Sequence, residues 1–413
     1  MIRPIHPGLS PNVQLKDAFF ALKRIVNINS YINGPETAQL EGWFEKTYKG
    51  KAFAFTSGRG ALAITLKSFD IKKDDEVLVT GFTCVAVVDA VLSVGAKPVY
   101  VDITKDYLLD SNDAEKKVTK RTKAIIVQHT FGICNATKEI LHLAQKHHLF
   151  MIEDMAHGIG LTERGKLLGT FGDATVFSLG RDKAFSSVSG GVAVVTNISA
   201  AQKIATSYKN QHSASSYWVF QQLFHTISFY FLILPFYDVF SLGKIALVLF
   251  QKIGLLTKPI DAKELEHFSL YTQKLPAALS AVAYYQLQRL KQFNDIRKAH
   301  GVFYQQQLHS LYPDMPKKSL SLLRFPLLVE RPVVLKKYAR ARGIYLGDWY
   351  SNLIDPKGTD IASYNFTSTS CPQAVYIADH IINLPTYPTL SPKDAEKVVA
   401  CLQSYAHNTR NNK

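Results

Sequence analysis

The chain has 413 residues, 47% apolar and 20% charged, and carries 48 Lys and Arg against 33 Asp and Glu, a net charge of +15. That balance excludes a disordered or low-complexity chain and leaves room for one large and one smaller domain. The positive excess suits nucleic acid, an anionic membrane surface or anionic small ligands. The densest basic stretch, Lys116–Lys123, is short and has no interleaved aromatics, which argues against nucleic acid. Cys84, Cys134, Cys371 and Cys401 are far apart, without CxxC pairs or histidine partners. They read as free thiols in a reducing compartment, not as a disulfide frame or a metal site. Residues 1–7 lack the apolar core of a signal peptide, so the cytoplasm is the expected location.

In chain order, Phe53-Ala-Phe-Thr56-Ser57-Gly58-Arg59-Gly60 is a small-residue turn opening a helix. Its exposed N–H groups and positive dipole end form a candidate phosphate cradle. Short apolar runs then alternate with helical stretches. Strands are predicted at Glu76–Phe82, Lys97–Asp102, Lys123–His129, Leu149–Asp154, Ala174–Ser178 and Gly191–Val195, with a helix over Val85–Val94. Continuous β-branched runs separated by helices predict an α/β fold, with a mainly parallel sheet covered on both faces.

Residues 217–256 are the most apolar part of the chain. No run there reaches the roughly 20 apolar residues that span a bilayer, and Pro235 interrupts the best candidate, Thr226–Tyr237. Tyr217, Trp218, Tyr230 and Tyr237, with Lys244, Lys252 and Lys258 nearby, predict an interfacial helical hairpin. It either packs on the protein itself, including a dimer interface, or docks on an anionic membrane face. Beyond it, Ala277–Gln307 reads as one long helix. Leu322–Val329 reads as a strand, Val334–Arg342 as a helix, Gly343–Leu346 as a strand and Lys393–Gln403 as the last helix. The expected division is 1–270, a large domain including the insert 213–260, and 271–413, a linking helix and a small α+β domain.

The chemistry is concentrated in Met151-Ile-Glu-Asp154-Met-Ala-His157, Phe177-Ser178-Leu-Gly-Arg-Asp-Lys183 and Gly190-Gly191. A carboxylate follows one apolar run, and a serine and a lysine follow the next. Open α/β sheets place ligands at such strand ends. A lysine amine that condenses with an aldehyde, a carboxylate for a pyridine nitrogen, and a hydroxyl with N–H groups for a phosphate make up a pyridoxal phosphate site. Taken singly, each residue type is more often solvated surface.

Together with Thr56-Ser57-Gly58, Asp74-Asp75-Glu76-Val77, Gly95-Ala96-Lys97-Pro98, Gly172-Asp173-Ala174 and Asn383-Leu384-Pro385, these segments resemble the DegT/StrS family of sugar aminotransferases. These are fold-type I pyridoxal phosphate enzymes that aminate nucleotide-linked keto-sugars. The resemblance implies that Lys183 is the Schiff-base lysine and proton shuttle, and that Asp154 pairs with the pyridinium nitrogen. It places His157 near the phenolic oxygen, and Ser178 with Ser57, Gly58 and Arg59 at the phosphate. It also implies glutamate as amino donor and a homodimer lending residues across its interface, here Thr272 and Lys274. His129, Trp349 and Tyr350 are candidates for the sugar side, though His129 suits a core hydrogen-bonding role equally. The chain departs from the family where Cys84 replaces an aromatic residue against the ring, at Ser189 in place of a Glu, and at Thr272 and Lys274 in place of Asn and Arg. Two alternatives stay open: a sugar dehydratase, against which Lys183 argues because those enzymes replace the lysine with histidine, and a scaffold at the membrane surface whose chemistry has decayed.

Overall fold

The computed structural model describes residues 4–258, 272–316 and 321–411. Seven strands form the central sheet, in the spatial order Lys51–Phe55, Gly191–Val195, Ala174–Ser178, Phe150–Asp154, Thr122–Gln128, Glu76–Thr80, Lys97–Val101. Gly191–Val195 runs against both neighbours, and every other pairing is parallel. The continuous apolar runs are explained by burial on two sides. Phe53, Phe55, Val77, Val79, Ile126 and Ile152 join one core with the helices Gly58–Ser68 and Val85–Ser93. Alternate residues face the other way: Ala52, Ala54, Val192 and Phe177 meet Leu40 and Leu279, and Ile125, Val127 and Met151 meet Ile140 and Leu143.

After the sheet, Ala277–Gln307 is not one helix but two, Ala277–Leu287 and Leu290–Leu308. The chain breaks at Arg289, whose guanidinium pairs with buried Asp17 and donates to Gln14 Oε1 at 2.9 Å. An antiparallel pair, Arg324–Leu328 with Ile381–Pro385, then packs with the helices Pro332–Arg340, Pro372–His380 and Pro392–Asn411. Phe325, Leu327, Ile382 and Leu384 belong to the same core as the central sheet.

The predicted strand at Gly343–Leu346 shrinks to a single bridge, because Ile344 meets only Ile5. Around that bridge, Tyr345 N–H donates to Ile5 O at 2.8 Å and Thr389 Oγ1 donates to Pro11 O at 2.7 Å, tying the N-terminal segment to the C-terminal part.

The apolar insert is a pair of helices. Ser215 caps the first, Ser216–Ser228, which widens into a π turn at Phe229–Ile233. The second, Leu242–Lys252, runs back along it. Phe224 and Phe250 meet edge-on at 5.5 Å, and a Cβ on Gly243 would lie 2.2 Å from Ile233 O, so only glycine allows this crossing. The first helix of the pair packs on the N-terminal helix Leu15–Ile25, where Phe19 meets Phe231 at 6.0 Å. Among the described residues, no helix is long and apolar enough to cross a membrane.

Candidate active site

At the carboxyl ends of the parallel strands, Gln128, Asp154 and Val176 lie side by side in register. They border a cavity of about 120 Å³ also lined by Gly58, Arg59, Cys84, His157, Ser178, Lys183 and Tyr350. Asp154 Oδ1 accepts the Ala156 N–H at 2.9 Å. Burial pushes the Asp154 carboxyl up, while the same N–H and the charge of Lys183 pull it down. Its ionised form therefore gains from a cationic partner in the cavity.

Lys183 projects from the connection between Ala174–Ser178 and the reversed strand. Buried Arg297 anchors this connection through Ala184 O at 2.8 Å and Asn12 Oδ1 at 3.0 Å, and the Asn12 amide in turn holds Lys183 O. Lys183 Nζ lies 3.2 Å from His157 Nε2 and 4.5 Å from the centre of the Trp349 ring. His157 is buried with its ring parallel to Trp349, 4.9 Å away at 5°. Its Nδ1 accepts the Phe131 N–H at 3.1 Å, so the ring proton of the neutral imidazole sits on Nε2. Burial, then the charges of Lys183 and Arg324, hold the imidazole pKa well below 6.5, which keeps the ring neutral. The Nε2–H therefore points at Nζ and bonds it only when the amine has a free lone pair, its nucleophilic form.

The other end of the cavity is the N-terminus of helix Gly58–Ser68. Ser57 Oγ accepts the Gly60 N–H at 2.9 Å, so its side chain caps the helix. Gly58, Arg59 and Ser178 line the cavity at this helix N-terminus, the setting in which an anion binds. Arg59 is steered by a buried pair with Asp89 at 3.3 Å. Backbones crowd here. A Cβ on Gly191 would stand 2.4 Å from Gly58 Cα, and Gly190 has φ +145.

Not every expected residue reaches the cavity. His129 is wholly buried, with Nδ1 accepting the Asn135 N–H at 3.1 Å and Nε2 2.9 Å from Glu153. The structure places it in the core-bonding role. Glu153 accepts N–H groups of Gly169, Phe171 and Gly172 as well. Burial pushes its carboxyl up, but His129 and these donors outweigh that and hold it below the usual range. Lys274 lies along the sheet edge, bridging to Phe55, with Nζ 5.0 Å over the Tyr208 ring; Thr272 precedes it, and neither lines this chain's cavity.

Trp349 and Tyr350 do close over the site. Tyr350 is buried, lines the cavity and brings its hydroxyl to 3.4 Å from His157 Nε2. Two contributors were not foreseen. Gln128 is fixed by Thr83 and Thr130. Arg324 stacks 3.3 Å over Trp349 and pairs with Asp182 at 3.0 Å. A lone arginine in the apolar run Leu322–Val329 was the available signal, since a buried cation needs a partner.

The DegT/DnrJ/EryC1/StrS aminotransferase family matches residues 14–403. The chain belongs to this family. It is 26% identical over 356 residues to the UDP-N-acetyl-3-dehydro-α-D-glucosamine 3-aminotransferase of Acidithiobacillus ferrooxidans, covering 85% of this chain and 83% of that protein. It is 34% identical over 184 residues to the dTDP-3-amino-3,4,6-trideoxy-α-D-glucose transaminase of Micromonospora megalomicea, covering 44% of this chain and 49%, about half, of that protein. Its fold is that of Helicobacter pylori PseC, an aminotransferase involved in the biosynthesis of pseudoaminic acid, with TM-score 0.73 at 18% identity over 96% and 98% of the two chains. The family uses pyridoxal phosphate, and the donor set fits that group: a lysine amine and a buried carboxylate share one cavity, with a helix N-terminus, Ser178 and Arg59 at its end.

Proposed function

We propose that the protein transfers an amino group to a keto-sugar carried on a nucleotide, with glutamate as donor. The observation that carries this reading is the meeting of Lys183 and Asp154 in one cavity with an anion cradle at its end. Pyridoxal phosphate, when bound, supplies an aldehyde for the amine and an electron-withdrawing ring. Asp154 would hold a proton at the ring nitrogen. The N–H groups at Gly58 and Arg59, with Ser178, would hold the phosphate. Lys183 provides the nucleophilic amine and takes and returns a proton at Nζ. His157 orients that amine through Nε2–H, while Trp349 and Tyr350 exclude water from it. The resemblance supports a homodimer in which Thr272 and Lys274 serve the neighbouring site, while the separate free cysteines and the composition of the apolar, lysine-flanked insert support a cytoplasmic enzyme that works at a membrane face.

The test is the visible spectrum of the purified protein. A band from lysine-bound pyridoxal phosphate that glutamate bleaches, and that Lys183→Ala lacks, is the expected outcome. A wild-type protein that retains no pyridoxal phosphate overturns the reading and favours a decayed scaffold.

A further inference from the structure

The helix Leu242–Lys252 is apolar on both sides. Leu247 and Phe250 turn inward, onto the small core of Phe229, Ile233, Leu234 and Leu256. Leu242, Ile245, Val248, Leu249 and Ile253 turn outward, with Ile245 59% and Val248 63% exposed. Phe240, in the turn before the helix, is 91% exposed. The N-terminal helix beneath repeats the pattern, because Leu15, Phe19, Leu22 and Val26 form an exposed stripe at helical spacing. A helix with apolar side chains on its outer as well as its inner side calls for a cover on both, and an exposed apolar surface of this extent marks an interaction site.

Charge decides between the possible covers. Residues 213–258 contain one acidic side chain, Asp238, already bound by Lys244 at 2.7 Å and by the Tyr345 hydroxyl at 2.6 Å. Lys252, Lys258, Lys16 and Lys23 are exposed around the apolar face. A second copy of this chain, which carries +15, would set that lysine-rimmed face against itself. An anionic bilayer offers hydrocarbon for the aliphatic side chains and phosphate for the rim.

We propose that the helix pair 216–252, flanked by the helix Leu15–Ile25, lies in the surface of an anionic phospholipid bilayer. This rests on the membrane-side location proposed above and names the surface and the lipid charge that produce it. The docked pair keeps the active site beside the bilayer. Just after its second helix, Thr257 O accepts Arg181 Nη2 at 2.8 Å, two residues before Lys183 in sequence. At its turn, Asp238 and Lys244 hold Tyr345, a few residues before Trp349.

The experiment is flotation of the full chain loaded with pyridoxal phosphate. It uses vesicles of phosphatidylcholine alone and of phosphatidylcholine with phosphatidylglycerol, comparing wild type with the triple variant I245D/V248D/L249D. Retained cofactor absorbance and an unchanged Tm show that the variant folds, and the absorbance reports on the cofactor site independently of flotation. The wild type is expected to float with the anionic vesicles, and the variant to bind them on the order of a hundredfold more weakly. Equal flotation of the variant overturns the assignment of the surface. Equal flotation with neutral vesicles overturns the charge argument while leaving the membrane-side location standing. A wild type that stays down with both vesicles, and forms an oligomer that the triple variant breaks, overturns the proposal in favour of a second copy as the cover.

Discussion

Asp355 offers a direct check on the electrostatics around the site. It pairs with Cys84 in a short parallel bridge. Burial, reinforced by Asp348 and opposed by Arg324 and Lys183, pushes its carboxyl from 3.8 up to about 7. Between those values the folded chain keeps a proton that the unfolded chain has lost, so this group lowers stability as pH rises and its effect levels off above 7. The gap sets a ceiling of about 4 kcal/mol at high pH, of which about 1.6 kcal/mol is already incurred at pH 5. Allowing for partial exposure, about 2 kcal/mol develops between pH 5 and pH 8. Asp355→Asn is neutral throughout and removes that dependence. Urea unfolding of the cofactor-free wild type and variant should show the variant gaining about 2 kcal/mol on the wild type over this interval. A difference that stays constant with pH would refute a half-buried, proton-holding Asp355.

Gly191→Ala sets a methyl against the Gly58 and Ser57 backbones, which cannot rotate away; a loss of about 3 kcal/mol or more, read from soluble yield and urea midpoint, is expected. Glu153→Gln replaces a carboxylate that receives three N–H groups and His129, so a cost of about 3 kcal/mol follows, measured the same way. His157→Phe leaves the buried Phe131 N–H without its acceptor and should cost about 1–3 kcal/mol by thermal unfolding. The same change removes the group that orients Lys183, so the rate of the visible band's reaction with glutamate should fall beyond any loss of cofactor affinity.

The sheet was legible because its strands are buried on both faces: a run such as Glu76–Thr80, enclosed at every position, has no amphipathic ambiguity. Lys183, Asp154 and Ser178 were legible because each sits at or just past the end of such a run. What escaped depends on contacts distant in sequence. Arg289 breaks a helix whose apolar spacing continues past it, in order to reach Asp17. Ile344 pairs with Ile5, which no local pattern around Gly343 announces. His129 and Asp154 both end apolar runs, but one ring turns into Glu153 and the other side chain into the cavity, a choice made by side-chain direction that spacing alone does not encode. The apolar insert was visible by composition, whereas the outward turn of Ile245 and Val248 appears only once Leu247 and Phe250 have claimed the inner face.

The tie between Ile5 and Ile344 sets a timetable for synthesis. Ile5 leaves the ribosome well before its partner, which follows about 340 residues later. Contacts of such sequence separation close late, after local helices and the sheet have formed. During that interval Ile5 waits in water, although Ser10 and Asn12 can already meet His225 and Lys183. A chain stalled before residue 344 should therefore keep the segment around Ile5 open to proteases while the sheet behind it is already protected.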